Sequence, residues 1–273
     1  MSRSNDAILS EELQRRIASG TRVEQVVEAL VEEFVVPKWQ LEALCCDLGH
    51  VLQRYERNLG VVGLSGQATL LRAKVMVVGL GGLGGHVLDQ LSRSGVGRIA
   101  AVDADLFDLT NLNRQLLALR HTVGTKKTNA ARERVAAVND AVQLISWDIP
   151  LEELPDMAYE GLDLIFDCLD QIPTRLHLQE KASRFHLPIV HGAIGGWYGQ
   201  VAVVQPDSGL LGALYGKKRQ GIEKDLGNPA FSPTVIAGIM VAEGIKVLLD
   251  KEETLKGVLF VDLLNNQVEV INI

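Results

Sequence analysis

The sequence predicts an α/β fold, Rossmann-like and doubly wound, with a mostly parallel sheet, helices on both faces and a small helical N-terminal region. Three observations carry that expectation. From Ala73 onward, short β-branched runs alternate with helix-patterned segments, as parallel βαβ units do. The first of these runs, KVMVVGL, breaks into a glycine-rich turn that opens a helical pattern. The composition is 47% apolar with only 5% aromatic residues, which suits a sheet of Val, Ile, Leu and Ala rather than an aromatic-rich sandwich. At 273 residues the chain is long enough for one large domain with an appendage, so we divide it into residues 1–53 and 54–273.

Residues 1–53 are charged and helix-patterned, without a strand signal. A helix is expected around Ser10 to Ser19, with Gly20 ending it. TRVEQVVEALVEEF begins with a capping box, Thr21 with Glu24, and repeats Val23, Val27, Leu30 and Phe34 on one helical face. Pro37 suits the first turn of a third helix, in which Leu41, Leu44, Leu48, Leu52, Tyr55 and Leu59 keep helical spacing to Gly60. KVMVVGL, RIAAVDAD, VQLISWDI and DLIFDCLD then read as strands. GGHVLDQLSRSG, KTNAARERVAAVN and PTRLHLQEKASRFH read as the helices among them. PIVHGAIGGWYGQVAVVQP is two strands joined by a glycine-rich bend, and LLGALYGKKRQGIEKDLGNPAF is a polar loop. SPTVIAGIMVAEGIKVLLD is a buried helix, and the chain closes as a hairpin turning at Asn265 and Asn266.

Lys plus Arg number 27 against 34 Asp plus Glu, a net charge of −7, which argues against general affinity for nucleic acid or acidic lipid. No segment approaches the roughly 18 uninterrupted apolar residues of a membrane span, and the polar start lacks a signal-peptide core. A cytoplasmic location is expected. Cys45, Cys46 and Cys168 are too few for a disulfide framework or a four-cysteine zinc site within one chain, so they are expected to pack as small apolar residues.

Gly79, Gly81 and Gly84 fit G-x-G-x-x-G between a strand and a helix, where free helix-start amides attract phosphate. Asp103 ends the next strand and is placed to accept from ribose hydroxyls. The turn alone indicates a mononucleotide or a dinucleotide. Asn111, Asn113, Arg114 and Gln115 follow closely, and Lys126 and Lys127 come later. A hydride carrier needs little extra positive charge, whereas breaking a triphosphate does, because charge develops on the departing pyrophosphate. Asp167 and Asp170 of FDCLD offer carboxylates for a metal at the end of a strand, with Asp167 equally suited to cap or support Asp170 instead.

GLGGLG, DADLFDLTNLNRQ, GTKK and DCLD, in this order and spacing, resemble the motifs of the ThiF/MoeB/HesA family, relatives of the ubiquitin-activating enzymes. The resemblance runs from about Arg54 to the C-terminus. It implies binding of ATP and Mg2+ and activation of the C-terminal glycine of a small ubiquitin-fold carrier as an acyl adenylate, with release of pyrophosphate. It implies that Gly79, Gly81, Gly82 and Gly84 shape the nucleotide turn and that Asp103 takes the ribose. Asn111, Arg114, Gln115 and Lys127 would contact phosphates, and Asp170 would hold magnesium. Arg57 matches an arginine that reaches the phosphates from a neighbouring subunit, which implies a homodimer. The implied partner is a MoaD/ThiS-like carrier ending in Gly-Gly, serving molybdopterin, tungsten-cofactor or thiamin biosynthesis.

The sequence departs from the family pattern in four places. Asn58 stands where a glutamine is usual and Gln171 where an asparagine is usual. The two C-x-x-C pairs that hold zinc in many members are missing, so no zinc is expected, and the crossing loop has no cysteine for a covalent second step. The reading is therefore an adenylating enzyme only, with Gly192 to Gln200 and the basic Lys217, Lys218 and Arg219 expected to receive and cover an extended carrier tail. His191 and Cys168 are expected to pack inward, and His86 to fill a helix start. An NAD-dependent oxidoreductase and a non-catalytic nucleotide-binding scaffold are the rival readings.

Overall fold

The computed structural model describes residues 3–216 and 226–272. Apolar residues at every position of Val75–Val78 have no polar face to turn to water, which forces this strand into the middle of a sheet covered on both sides. Strands β1 (Lys74–Val78), β2 (Arg98–Val102), β3 (Gln143–Trp147), β4 (Leu164–Asp167) and β5 (Ile189–Gly195) are parallel, in the order β3-β2-β1-β4-β5. β6 (Tyr198–Val204), β7 (Val258–Asp262) and β8 (Gln267–Ile271) extend the sheet antiparallel beyond β5. Strand order reverses between β1 and β4, so the crevice outside their carboxyl ends is where such a sheet binds a ligand.

Alternate side chains of β1 supply two cores. Val75 and Val77 pack with Leu83, Val87 and Leu91 of α5 (Gly82–Ser94) and with Met240 of α9 (Phe231–Leu248). Met76 and Val78 pack on the other face with Leu178 and Ala182 of α7 (Ile172–Arg184). α9 is long and apolar enough to cross a membrane by length and composition, and here it packs against α5, β5 and β6. α6 (Lys127–Val138) and α5 cover the β1–β2–β3 side.

The N-terminal helices form a third core of their own. α1 (Arg3–Ala18), α2 (Val23–Phe34) and α3 (Lys38–Asp47) bury Leu13, Val27, Leu30 and Leu41 together with Leu71 of α4 (Leu59–Arg72). Three expectations need correction here. The cap of α2 is Arg22, without a side-chain hydrogen bond, because Glu24 instead accepts from the backbone of Gln53 at 3.0 Å. The expected third helix stops at Asp47, since Gly49 turns left-handed (φ 86°), and a 3-10 helix, Gln53–Asn58, follows. The glycines at 60, 63 and 66 concealed α4, which is kinked at Gly63 (φ 68°). Within the stretch expected as a polar loop, Leu210–Tyr215 is a short helix, α8; Lys217, Lys218 and Arg219, the expected cover, lie outside the described residues.

A buried polar contact ties these helices to the sheet domain. The Tyr55 hydroxyl donates to Glu42 Oε2 at 2.9 Å and accepts from Asn139 Nδ2 at 2.8 Å, and all three residues are buried. Glu42 Oε1 accepts no hydrogen bond and lies 3.8 Å from Arg54 Nη1, and burial pushes its carboxyl up to about 7 against the pull of Arg54 and Tyr55. A carboxyl raised in the folded state stabilises most below its unfolded value of 4.5 and loses that contribution as the pH climbs through about 7. Urea denaturation should therefore show wild-type stability falling, relative to Glu42→Gln, between pH 4.5 and about 7; parallel curves for the two proteins would remove Glu42 from the pH response.

Candidate active site

The turn between β1 and α5 is fixed by backbone contacts that tolerate no side chain at Gly79 or Gly84. Gly79 is left-handed (φ 88°), and a Cβ there would stand 2.8 Å from the Cys168 carbonyl. A Cβ on Gly84 would stand 1.7 Å from the Gly79 carbonyl, which presses the first turn of α5 onto the end of β1. The Gly79 amide donates to Val102 at 2.8 Å and the Leu80 amide to Asp103 Oδ2 at 2.7 Å, locking the turn to β2. Gly81 caps α5 without a side chain, so the first amides of the helix are left for an anion.

These groups open on a cavity of about 1040 Å³ at the carboxyl ends of the strands. That volume is at the top of the range of roughly 300–1,000 Å³ for sites holding one drug-sized ligand. Gly79, Gly81, Gly82 and Asp103 line one side, and Arg114, Gln115, Lys127 and Asp170 stand around them. The other half runs along β5 and β6 past Ala193, Gly195, Tyr198 and Gln200 to Tyr215 and Phe260. The residues expected at Gly84, Asn111 and Arg57 do not line it. Gly84 sits beneath the turn, and Asn111 Oδ1 accepts from the Asp108 amide at 3.1 Å, capping the 3-10 helix Leu109–Asn113. Arg57 is exposed on the 3-10 helix Gln53–Asn58.

The two cations of the cavity are held differently, Lys127 by carboxylates and Arg114 by neutral acceptors. Lys127 is buried, its Nζ 2.7 Å from Asp105 and 3.5 Å from Asp103. Burial raises the Asp103 carboxyl above its ordinary range, although Lys127 and the amides of Leu80 and Asp105 draw it down. Arg114 Nη1 donates to the Thr110 carbonyl at 3.0 Å and to Asn113 Oδ1 at 2.8 Å, and Asn113 in turn donates to the Asn228 carbonyl. Gln115 is buried with its Oε1 unpartnered beside Gly81, an acceptor that a nucleotide donor would satisfy. Asp170 is exposed on the cavity wall. Magnesium is commonly held by one or two carboxylates together with substrate phosphates, so an exposed acid on the wall of the cavity that the glycine turn also lines fits that ion.

The ThiF family model matches residues 55–273. The chain belongs to the ThiF family. It is 33% identical over 232 residues to the SAMP-activating enzyme E1 of Haloferax volcanii, covering 81% of this chain and 84% of that protein. A sulfur carrier protein adenylyltransferase of Thermus thermophilus is 36% identical over 224 residues, 76% of this chain and 81% of that protein. A tRNA threonylcarbamoyladenosine dehydratase of Bacillus subtilis is 37% identical over 142 residues, 51% of this chain and 56% of that one. Among solved structures, E. coli MccB with ATP superposes with a TM-score of 0.68 at 20% identity, covering 81% of this chain and 71% of that one. The ThiF-family assignment agrees with the doubly wound sheet.

In this ThiF-family chain the structure also brings residues to the site that sequence reasoning missed. Arg175 and Tyr215 line the cavity, beside Gln200 of the stretch expected to receive the carrier tail. Arg175 lies on the buried face of α7, three residues from both Ile172 and Leu178, and an arginine in that phase was the available signal. Asp167 does not reach toward a metal. It is buried, accepts from the Leu169 amide at 3.1 Å, and lies 2.7 Å from His191 Nδ1. Burial alone would raise the Asp167 carboxyl; the Arg175 guanidinium and the His191 hydrogen bond outweigh it and hold the group low. Burial, aided by Arg175, pulls His191 below its ordinary range and keeps the ring neutral. Burial also pushes the Cys168 thiol well up, away from nucleophilic use, and pulls His86 down.

Two glycine substitutions should separate fold from binding. Gly84→Ala drives a Cβ into backbone and is expected to destabilise the protein by about 3 kcal/mol or more. Gly81→Ala meets nothing nearer than 3.7 Å, so thermal melting should stay close to wild type while calorimetry shows weaker nucleotide binding. Unchanged affinity in Gly81→Ala would place the phosphates elsewhere.

Proposed function

We propose that the protein is an ATP-dependent adenylyltransferase that activates the C-terminal glycine carboxylate of a small ubiquitin-fold sulfur carrier as an acyl adenylate, releasing pyrophosphate. The carrying observation is the two-part cavity, with a glycine turn and paired cations at one end and a groove along β5 and β6 at the other. One nucleotide leaves room in such a volume for an extended chain end. The relatives named above as a carrier adenylyltransferase and an E1 enzyme support the same reading. The biosynthetic settings we favour are those of molybdopterin, the related tungsten cofactor, and thiamin.

The reaction needs no protein nucleophile. A carboxylate oxygen of the carrier end attacks the α-phosphorus of ATP in line, and the bond to the pyrophosphate oxygen breaks. Asp103 orients the ribose and the α5 amides the phosphates. Arg114 and Lys127 stabilise the charge growing on pyrophosphate; in giving way to phosphate, Asp105 and Asn113 leave these side chains where the structure already holds them. Asp170 is the residue that would hold magnesium, whose contribution when bound is Lewis-acid polarisation of phosphate oxygens. Because Arg57 stands outside its own chain's cavity, its route to a phosphate is from a second copy, in a homodimer.

The similarity to a tRNA threonylcarbamoyladenosine dehydratase favours a second reading, in which the carboxylate belongs to a modified nucleoside. The net charge of −7 favours the protein carrier.

Exchange of labelled pyrophosphate into ATP, run with several ubiquitin-fold carriers ending in Gly-Gly, tests the proposal. Exchange should appear only with a carrier, and Arg114→Ala should slow it by roughly 10² to 10³. ATP binding without exchange would leave a scaffold, and preference for NAD would leave an oxidoreductase. Mixing Arg57→Ala with Asp170→Ala, each impaired alone, should restore about a quarter of the wild-type rate through mixed dimers with one intact site. No recovery would remove Arg57 from the partner's site.

A further inference from the structure

The groove wall and the loop that carries Asp170 are joined by a run of hydrogen bonds that the reaction steps above do not use. Gln200 Nε2 donates to the Tyr215 hydroxyl at 2.8 Å, and that hydroxyl lies 2.9 Å from His191 Nε2. His191 Nδ1 lies 2.7 Å from Asp167 Oδ2, and Asp167 Oδ1 accepts from the Leu169 amide at 3.1 Å. A carboxylate only accepts, so the proton of the neutral ring sits on Nδ1; the other tautomer would set two lone pairs 2.7 Å apart. Nε2 is then an acceptor, and Tyr215 donates to it. The three side-chain bonds point the same way, from the groove to Asp167, and the Leu169 amide donates to Asp167 from the other end.

Arg175 closes the other side. Its Nη1 lies 2.9 and 3.3 Å from the two ring nitrogens of His191 and donates to the Gly192 carbonyl at 3.0 Å, while Nη2 donates to the Leu169 carbonyl. Leu169 is thus gripped at its amide by Asp167 and at its carbonyl by Arg175, and Asp170 is the next residue. His191 and Asp167 are both fully buried, whereas Tyr215 and Gln200 stand on the cavity wall.

We propose that His191 is a positioning residue for the adenylation site, acting through Asp167 on the loop that aims Asp170 and through Tyr215 on the wall that receives the carboxyl end. The proposal rests on the reading that this cavity activates a carboxylate. Its two arms separate chemically. His191→Asn keeps an N–H near the Nδ1 position for Asp167 but offers nothing to Tyr215. His191→Gln keeps an acceptor near the Nε2 position for Tyr215 but loses the donor to Asp167. Tyr215→Phe removes only the hydroxyl.

The test measures two quantities for each variant: the magnesium concentration that half-saturates ATP binding by calorimetry, and the KM for the carrier that supports exchange with the wild-type protein. His191→Gln should raise the magnesium requirement about tenfold, as for a lost hydrogen bond to a charged group, and leave carrier KM within about twofold. His191→Asn and Tyr215→Phe should raise carrier KM about fivefold, as for a lost neutral hydrogen bond, and leave the magnesium requirement within about twofold. Equal shifts in both quantities across the variants, or no shift in either, would overturn the proposal and make the run mere core filling. Tyr215→Phe, a change at the half-buried wall, decides the groove arm even should the His191 variants fail to fold. If no carrier supports exchange in the wild type, the proposed function fails, and the magnesium measurement still decides the Asp167 arm.

Discussion

Gly84 lies so close against the carbonyl of Gly79 that any side chain there would displace backbone, and the rest of the site depends on that approach. It seats the start of α5 on the end of β1, so the unpaired amides of the helix point out of the sheet at the crevice where strand order reverses. Gly79, turned left-handed beneath the Cys168 carbonyl, brings the end of β4 to the same place. The glycine turn, Asp103 at the end of β2 and Asp170 after β4 therefore share one rim. No long-range arrangement is needed beyond the pairing of three neighbouring parallel strands.

Electrostatics then decide what such a rim is suited to. The chain as a whole is acidic, yet the cavity gathers Arg114 and a buried Lys127 beside the glycine turn. Each cation is steadied by local acceptors, Lys127 by Asp103 and Asp105 and Arg114 by Thr110 and Asn113, which fixes its position before any ligand arrives. Preorganised positive charge is of most use where negative charge grows during reaction. On the far side, the buried Asp167–His191–Arg175 set holds the loop before Asp170 in the same manner, using polar groups fully removed from water.

Most of the parallel sheet could be read in advance, because β1 and β4 are buried on both faces and write themselves as unbroken apolar runs. The glycine turn and Asp103 were legible from their places at a helix start and a strand end, whereas Arg114, Gln115, Lys127 and Asp170 were singled out by the family resemblance, and all of them line the cavity. What escaped was set by distant contacts. Glu24 was legible as a helix cap and is used to hold Gln53, 29 residues on. The Tyr215–His191–Asp167 run joins residues from α8, β5 and β4, and no local spacing announces it. α4 was concealed by its own glycines.

The central claim is that the glycine rim holds a triphosphate with Arg114 and Lys127 on the fragment that leaves. A crystal structure with magnesium and a non-hydrolysable ATP analogue tests it most directly. The α-phosphate is expected over the amides of Gly81 and Gly82, Asp170 on the metal side, and both cations within hydrogen-bonding distance of the β- and γ-phosphates. Phosphates seated away from the α5 start, or Arg114 and Lys127 still paired only with their protein acceptors, would contradict it.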